Sequence, residues 1–569
     1  FIWNRYYDLQ FDLTRALKFD FSATNTSRID EPEGVLRKGE GDFEEKMDSL
    51  WREIFTLGRN TRYNHNFNIA YTIPINKIPL LNWVSSSARY SATFGWDVGP
   101  ITADTLNLGN NLKNSNNFQL NGQLSMTNLY NKIPYLKEVN NKFRNGFRQP
   151  SAEGRTKEVS YTQDGISLRS GRTRSINHKL KTESVTAVFY SEDGQEIEGE
   201  LVVASENRIT FTTDTSAEDY RRVRVEVTGT VEKGESPFII IADYTTRILM
   251  GIRNIAVTYN QSNGSMLPGY MPSTSLLGLQ NYNGTLAPGW PFILGWQDPH
   301  FPETAVRNDW LSKDPVINSP YIMNHSNTFN IRSTVEPLPG LRIDLTANRN
   351  YTKNINEYYI ADIFGNFPDS TRSRQMTGNF SISTITIGTA FEKVFSSENF
   401  ASATFEQFKH EYRQQISTRL ANERAQGGDY VMRPDTNNPD FWDGYGESAQ
   451  SVLIPAFLAA YAKKDPNHVN LNPLLDIRDM LPNWRLTFDG LSKIPFIQKY
   501  FRSININHSY RSSYTIGSFI SNPFYLASEA GYVDTASRDM NGNFLNEADI
   551  GSVSISEQFS PLIALDMNW

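Results

Sequence analysis

The sequence contains no cysteine among its 569 residues, so disulfide bonds and thiolate-ligated zinc cannot stabilise the fold. It also lacks a run of about 18 apolar residues, and the longest candidate, 452–462, is too short to cross a membrane as a helix. A net charge of −7 and a pI near 5.7 argue against a nucleic-acid-binding surface.

Motifs for enzymatic chemistry are missing as well. No Gly-x-Ser-x-Gly elbow, Walker motif or dinucleotide fingerprint occurs, and 444–448 lacks the order of an elbow. The histidines are scattered, and no two have the i, i+4 spacing of a metal-binding pair: His65, His178, His300, His325, His410, His468 and His508.

One acidic run offers oxygen ligands for calcium, namely Asp435, Asn437, Asp440 and Asp443. It lacks the glycine of an EF-hand loop, so a solvated turn is the preferred interpretation. We therefore expect a protein that is not an enzyme, with no catalytic, cofactor-binding or metal-binding residue.

Aromatic residues are the main excess in the composition, with 34 Phe, 27 Tyr and 10 Trp. Aromatic girdles mark both interfaces of membrane β-barrels, although an aromatic soluble core is the alternative. The mean hydropathy of −0.48 is compatible with a barrel, because strict alternation hides the apolar face from an average.

The region 484–519 shows the alternation most clearly. Trp484, Leu486 and Phe488 alternate with polar residues, and a turn at 493–495 leads into a second alternating run. That run lasts about 18 residues, roughly three times the usual length of a soluble strand. A tilted strand needs about 9 to 11 residues to cross a membrane, so this hairpin is typical of a membrane barrel.

The hairpin pattern recurs along the chain. Lys-Ile-Pro turns appear again at 77–79 and 132–134, and the runs 17–23 and 341–347 match residue for residue in chemistry. A soluble β-sandwich also repeats hairpins, but the strand lengths favour a membrane barrel. We predict an all-β fold with about twelve strands that belong to an antiparallel transmembrane β-barrel.

The pattern also divides the chain into regions. The predicted regions are barrel strands with a helical extracellular loop in 1–130; a periplasmic insert in 131–237, with a small β-sandwich at 157–233; barrel strands in 238–350, with a long loop rich in Pro, Gly and aromatic residues at 260–326; an extracellular cap with helices in 351–481; and barrel strands in 482–569.

Three details of this division are specific enough to check. The sixth strand is predicted at 244–259, and a helix with Pro455 near its start is predicted in the cap. A basic linker before the sandwich, with arginines at positions 144 to 174, is interpreted as a solvated face. Because the chain starts and stops within or beside predicted strands, we expect a segment of a longer polypeptide.

Four longer motifs occur along the chain, at 71–83 with 88–96, at 128–134, at 452–461 and at 481–495. In this order they resemble the SprA/Sov family of Bacteroidetes. The resemblance implies a segment from the C-terminal half of the outer-membrane translocon of the type IX secretion system. Members of that family resemble a single-chain barrel of about 36 strands, so the resemblance implies that the twelve strands form one arc of a very large antiparallel transmembrane β-barrel.

The resemblance also implies a function and a set of partners. The translocon would pass folded cargo with C-terminal targeting domains, including gliding-motility adhesins and secreted enzymes, to the cell surface. Its partners would be a PorV-like lateral-gate protein, a periplasmic plug protein, the remaining segments of the barrel, the cargo and outer-membrane lipid, with no partner-binding residue assigned. The alternatives are a TonB-dependent nutrient importer or other outer-membrane channel, and a surface adhesin.

Overall fold

The chain folds mainly into β-strands, which form one large antiparallel sheet and three small sheets. The computed structural model describes residues 1–34, 38–39, 41–100, 108–143, 156–214, 216, 218–232, 237–368, 372–394, 401–428, 430–525 and 538–569.

The strands are β1 (Ile2–Asp12), β2 (Leu17–Arg28), β3 (Arg59–Ile73), β4 (Val84–Asp97), β5 (Asn110–Ser125), β6 (Thr156–Leu168), β7 (Thr173–Asn177), β8 (Val185–Tyr190), β9 (Gly199–Ser205), β10 (Arg208–Thr213), β11 (Tyr220–Glu232), β12 (Ile252–Tyr270), β13 (Gln280–Tyr282), β14 (Thr285–Ala287), β15 (Tyr321–Leu338), β16 (Leu341–Glu357), β17 (Arg374–Ser383), β18 (Asn483–Phe488), β19 (Ser503–Ser521), β20 (Ala548–Phe559) and β21 (Ala564–Asn568). The α-helices are α1 (Phe43–Phe55), α2 (Met126–Tyr130), α3 (Pro134–Lys142), α4 (Pro237–Leu249), α5 (Trp290–Ile293), α6 (Phe301–Arg307), α7 (Ala403–Gln407), α8 (Arg413–Gln426), α9 (Gln450–Tyr461) and α10 (Pro495–Gln498).

The large sheet has thirteen strands in the order β1-β2-β3-β4-β5-β12-β15-β16-β17-β19-β18, and β20 and β21 both pair with β19. The predicted antiparallel sheet is therefore confirmed, and the chain is mostly β, but its helices mean that the fold is not all-β. Several strands are long: β12 and β19 each have 19 residues. Among the described residues, β1 pairs only with β2, and β20 and β21 pair only with β19, so both edges of the sheet have one unpaired side.

One position of the sheet is shared by two strands that are far apart in sequence. β17 pairs with the Arg349–Glu357 half of β16, and β18 pairs with its Leu341–Thr346 half. β19 pairs with both in the same way. Where the chain leaves and re-enters the sheet, the Leu481 amide donates to the Ser383 carbonyl at 3.1 Å. Residues 384–482, which we call the inserted module, are thus rooted in the middle of a strand.

A second position is shared in a similar way. β20 pairs with one part of β19 and β21 with another, separated by a short bulge at 560–563. At that bulge the Ser509 amide donates to the Pro561 carbonyl at 3.0 Å, which keeps the edge attached to β19. The thirteen strands therefore fill eleven positions of the sheet.

The hairpin turns are short because proline starts them. In the β3–β4 turn, Pro74 opens a single 3-10 turn that ends at Lys77, where its missing amide would have had no partner. The Trp83 indole then donates to the Leu80 carbonyl at 3.0 Å and fixes the return into β4. Pro495 opens α10 in the later hairpin in the same manner.

Residues Tyr130–Gly251 with Pro337–Pro339 form a second compact unit, distinct from the unit that contains the large sheet. The interval 157–233, which we predicted as a β-sandwich, holds two three-stranded sheets, β7-β10-β9 and β6-β11-β8. Their inner faces share one core, in which the rings of Phe189 and Phe211 stack with centroids 3.8 Å apart. In the same unit, Val139, Phe143 and Met250 form a small cluster beside helices α3 and α4.

The predicted sixth strand, 244–259, is wrong at its start. Residues up to Leu249 belong to helix α4, and the strand begins at Ile252. Asp243 and Arg247 are buried one helical turn apart, and Asp243 pairs with Lys142 at 3.1 Å. This buried polar side of a helix overrides the β-propensity of the apolar residues around it.

The predicted loops 260–326 and 351–481 were also too long. β12 continues to Tyr270 and β15 begins at Tyr321, so the connection is 271–320. The second interval contains the end of β16 and all of β17, and the remaining module joins the sheet at mid-strand, so 351–481 is not a single cap. Pro455 lies in the middle of α9, because the Gln450 side chain bonds to β20 and fixes an earlier helix start.

No helix in the described part of the chain is both long and apolar enough to span a bilayer.

Candidate functional site

The large sheet has one apolar and one polar face. Successive side chains of a strand point to opposite faces, so adjacent cross-strand rows show the contrast directly. An apolar row runs Tyr71, Ala88, Leu120, Tyr259, and the polar row beside it runs Thr72, Ser87, Asn121, Thr258. Near the other edge an apolar row runs Leu345, Trp484, Tyr510, Phe559, beside a polar row of Asp344, Arg485 and Ser509.

The apolar face is continuous across the sheet. The Tyr351 ring lies 5.9 Å from the His325 ring on one side and stacks on Phe519, with centroids 6.2 Å apart, on the other. At the end of the sheet away from the Ile-Pro turns, other segments of the chain cover two areas of this face. The loop 271–320 covers one area and the inserted module covers the other.

The cover stops part of the way along the strands. On β3, Tyr63, His65 and Phe67 are buried, whereas Tyr71, nearer the turn, is 38% exposed. Six residues separate Phe67 from the end of β3, which corresponds to about 20 Å of extended strand. On β3, a band of roughly that height on the turn side of the apolar face is therefore uncovered, whereas on β19 Ile504 and Tyr510 are buried on that side.

The segment Trp290–Gln297, which we call the strap, is fastened to the sheet through its backbone carbonyls. The donors come from three neighbouring strands: His65 Nε2 on β3, Tyr90 Oη on β4, and the side-chain amides of Asn114 and Asn116 on β5. They reach the carbonyls of Ile293 (2.9 Å), Leu294 (2.7 Å), Phe292 and Trp296 (3.0 Å each) and Gly295 (2.6 Å). These polar side chains interrupt otherwise apolar rows because they satisfy a buried turn of backbone.

A groove of about 1290 Å³ lies between the strap and the apolar face. Its floor is largely aromatic, with Phe19, Phe67 and Phe118, and Ile293 and Trp296 line it from the strap. None of the described residues that line it is an aspartate or a glutamate. The groove thus combines a large apolar wall with a few polar groups, the usual composition of a binding site for an apolar ligand.

The cation in this groove is Lys353. Among the described residues, none forms a hydrogen bond or ion pair with its ammonium group, although the side chain is partly buried. The Nδ1 atom of the neighbouring His325 is already hydrogen-bonded to Asn263 Oδ1 at 2.6 Å. The groove therefore carries an unneutralised positive charge.

A buried ion pair joins α3 and α4 in the second unit. Lys142 Nζ lies 3.1 Å from the Asp243 carboxylate and 2.9 Å from that of Glu138, and Asp243 is fully buried. Burial alone would lower the pKa of Lys142, but the hydrogen bonds to Glu138 and Asp243 outweigh it, and the pKa is raised. The lysine is therefore charged at physiological pH.

Helix α4 has the inverse of the usual amphipathic pattern. Its charged residues Asp243 and Arg247 are buried, while Phe238, Ile241 and Leu249 are 83%, 64% and 76% exposed. A helix in water buries its apolar stripe and exposes its charges. The exposed apolar side of α4 is therefore suited to a non-aqueous environment or a partner surface.

A cluster of hydrogen-bonded polar side chains lies outside the strands, between α6 and the segment after β16. Arg372 Nη2 donates to Glu303 Oε1 at 3.0 Å and to the Tyr359 hydroxyl at 2.6 Å. Partial burial alone would raise the pKa of Glu303, but hydrogen bonds from His300 and Arg372 outweigh it and lower that pKa. This ion pair ties the loop 271–320 to the end of the sheet.

The acidic run considered for calcium serves the structure instead. Asp435 is buried and accepts the Asn437 amide at 2.7 Å, so its interpretation as part of a solvated turn is wrong. The Asp443 carboxylate is held by both terminal nitrogens of Arg538, at 2.5 and 3.0 Å, while Asp440 is exposed. Within the described ranges, no three His, Asp or Glu side chains group closely enough to hold a metal ion.

The predicted basic linker is only partly within the described residues. Arg144, Arg148 and Arg155 lie outside them, whereas Arg169 and Arg172 are exposed in the small β-unit. The strap anchors were missed from the sequence, because His65 was weighed only as a metal ligand. Two signals pointed to them: polar residues inside apolar rows of β3 and β5, and the Pro-Gly-Trp-Pro-Phe texture at 288–292, which indicated a packed loop.

Comparison with known proteins adds no name to this geometry. No protein-family model matches the chain, and no curated protein matches it either. The function is therefore inferred from the two faces of the sheet, the strap, the groove and the inverted helix, together with the sequence motifs.

Proposed function

We propose that this chain forms an arc of the wall of a very large outer-membrane β-barrel, and that the barrel is the protein-conducting translocon of the type IX secretion system. The observation that carries the proposal is the separation of polar and apolar rows across the large sheet. A barrel wall needs a lipid-facing side and a water-facing side in strict alternation. The SprA/Sov resemblance supplies the specific role, passage of folded cargo with C-terminal targeting domains to the surface.

In this proposal the polar face lines a water-filled conduit. The width of a barrel grows with the number of strands, so a folded protein needs a very large ring. The unpaired sides of β1 and of β20 and β21 are templates for further pairing. Other strands of the same protein would continue the wall at these edges, toward a ring of about 36 strands.

The short turns are proposed to face the periplasm and the long connections the cell exterior, as in other outer-membrane barrels. The small β-unit with α3 and α4 follows β5 at a turn end, so it would be periplasmic. The inverted helix α4 supports this arrangement, because an exposed apolar side suits the membrane interface. Loop 271–320 and the inserted module would lie on the outer half, against the wall.

The uncovered apolar band bears on the same proposal. Its height of about 20 Å is slightly below the roughly 25 Å apolar band of outer-membrane barrels. Exposed apolar residues on the turns extend it, including Ile78, Leu80 and Phe496. The strands beyond this band would stand in water, which explains why their apolar side is covered by protein.

The proposed partners follow from the family resemblance alone. They are a PorV-like lateral-gate protein, a periplasmic plug protein, the remaining barrel segments, the secreted cargo and the surrounding lipid. A wide conduit has to be closed when idle, which is the physical reason for expecting a gate and a plug. We propose no enzymatic activity.

The absence of cysteine makes the orientation of the faces directly testable. Single variants Asn117→Cys and Phe118→Cys place a thiol on adjacent residues of β5 that point to opposite faces. In intact cells or reconstituted membranes, a charged maleimide should label the first thiol, and a lipid-soluble quencher should reach a probe on the second. Equal access of both thiols to the charged reagent would contradict a lipid-facing side.

Depletion of the protein tests the transport role. Cargo with C-terminal targeting domains should accumulate in the periplasm, and the cell surface should lose it. If the cargo still reaches the surface while uptake of a nutrient fails, the importer is the correct interpretation. If the protein is released from cells without detergent, a surface adhesin is the correct interpretation.

A further inference from the structure

We propose that the groove beneath the strap is a binding site for a membrane lipid with an acidic head group. The inference rests on the proposed function only in assigning the apolar face of the sheet to lipid. It adds a specific site to that face, with the acyl chains on the aromatic floor and the acidic group at Lys353.

The floor of the groove favours acyl chains. Phe19, Phe67 and Phe118 form it, and it continues into residues that are exposed on the same face, including Leu9 at 54%. The volume of about 1290 Å³ exceeds the roughly 300 to 1,000 Å³ of pockets for small ligands. A long amphiphile that enters from the open side of the apolar face matches both properties.

The polar groups favour lipid over a peptide. An extended peptide brings backbone donors and acceptors that need partners in the groove. The amides of Asn114 and Asn116 are already bonded to the strap carbonyls, and His325 is bonded to Asn263. Acyl chains need no such partners. Of the groups in the lining, Gln297 Oε1 is buried with no hydrogen-bond partner among the described residues, and an acyl chain leaves it in that state.

The charge favours an acidic head group. Lys353 has no carboxylate partner among the described residues, and none of the lining residues is acidic. An ammonium group beside a large apolar surface gains from an anion that is brought there by its own hydrophobic chains. The side-chain amides of Gln261 and Asn263 in the lining are neutral, so they do not compete with an anion for the Lys353 charge.

The experiment measures lipid retained by the purified full-length protein. The protein is incubated in mixed micelles with phosphatidylglycerol or phosphatidylcholine, the excess is exchanged for detergent, and bound lipid is counted by native mass spectrometry. We expect retention of phosphatidylglycerol in preference to phosphatidylcholine, and roughly tenfold weaker retention in Lys353→Gln, the effect of losing one charge-assisted hydrogen bond. Lys353→Arg should retain the lipid.

A matched control separates the site from general charge. Lys113→Gln removes a lysine from β5 on the opposite face, where it pairs with Asp97 at 3.0 Å, and should leave retention unchanged. Equal retention by Lys353→Gln and the unmodified protein overturns the inference, and so does equal retention of both lipids. If inorganic phosphate alone occupies the groove, the site binds a soluble anion. If a peptide co-purifies in the groove, the site binds a protein segment. Either result overturns the lipid assignment.

The outcome is independent of the transport assay. If lipid retention depends on Lys353 but depletion leaves cargo export intact, the proposed function fails while the groove assignment stands. If export fails on depletion but Lys353→Gln retains lipid normally, only the groove assignment fails.

Discussion

The inserted module can be removed without breaking the sheet, because the strands on either side of it are collinear. On β16, Arg349 lies opposite Ile382 and Thr346 lies opposite Asn483. Residues 347 and 348 of β16 lie between Thr346 and Arg349, and Ser383 continues β17 opposite residue 348. A single strand position is therefore left between β17 and β18.

Thr384 already occupies that position. Its amide donates to the Ser512 carbonyl of β19 at 3.2 Å, as a continued strand would require. Deleting 385–482 joins Thr384 directly to Asn483 and should give one uninterrupted strand in the existing register. No linker is needed, since the register on both neighbouring strands leaves room for one residue.

The magnitude follows from what the module covers. Removing it uncovers Phe380, Ile382, Tyr514, Ile516 and Phe519, each at most 3% exposed in the intact chain. Burial of such a side chain contributes about 1.5 to 3 kcal/mol, so in water the loss is roughly 8 to 15 kcal/mol, comparable to the whole stability of a domain. In detergent the same surface is solvated by hydrocarbon, so the shortened protein should fold in micelles.

The assay compares two deletions that differ by one residue. Deleting 384–482 instead shifts β18 by one position and turns Trp484, Leu486 and Phe488 to the polar face. We expect the 385–482 deletion to refold in detergent micelles with intact strand content by circular dichroism, and the 384–482 deletion to aggregate. If both deletions assemble, or both fail, the collinear reading of β17 and β18 is refuted.

Three further predictions concern single residues. Lys142→Met should destabilise the second unit by about 3 to 5 kcal/mol, measured by denaturant unfolding, because it removes the ammonium group that neutralises the buried Asp243 carboxylate; replacing both residues with apolar ones should recover most of the loss. Gly378→Ala should destabilise the sheet by about 1 to 3 kcal/mol, because the new Cβ would lie 2.2 Å from the Thr352 carbonyl oxygen and 2.3 Å from the Phe519 ring. Gly122→Ala is the control and should not destabilise the sheet, because the space around Gly122 is open. Since the pKa of Glu303 is lowered in the fold, its contribution to stability is present above its ordinary pKa of 4.5 and is lost as the pH falls through the lower folded value. Glu303→Gln should lower the free energy of unfolding at neutral pH by less than about 1 kcal/mol for this partly exposed pair, and should make no difference at strongly acidic pH, as measured by denaturant unfolding.

The sequence predicted the features that depend on a period of two. The hairpin β3–β4 and the start of β2 at Leu17 follow from local alternation, because a strand with one buried and one solvated face imposes that pattern on its own residues. The Ile-Pro turns were equally local, since proline fixes the backbone wherever it stands. The polar and apolar faces of the sheet required no other information.

The features that were missed depend on residues distant in the sequence. Residues 260–264 were assigned to a loop because they are polar and contain glycine, yet they form part of β12, where Asn263 bonds to Asn116 of β5 at 2.8 Å. β17 was hidden inside a long connection, although Met376, Phe380 and Ile382 alternate as in the other strands. Helix α4 was taken for a strand, because its polar contacts come from α3, about a hundred residues earlier.

A strand position built from two distant segments also constrains the order of assembly. Closing an unstructured loop of the length of 384–482 costs about 4 kcal/mol of chain entropy, before β18 gains any pairing. If helices α8 and α9 condense first, they bring the two ends together, as the bond between Leu481 and Ser383 shows in the finished fold. The module would then act as a nucleus on which β16 and β19 complete their pairing, and a nascent chain that lacks it has to find the same register by diffusion.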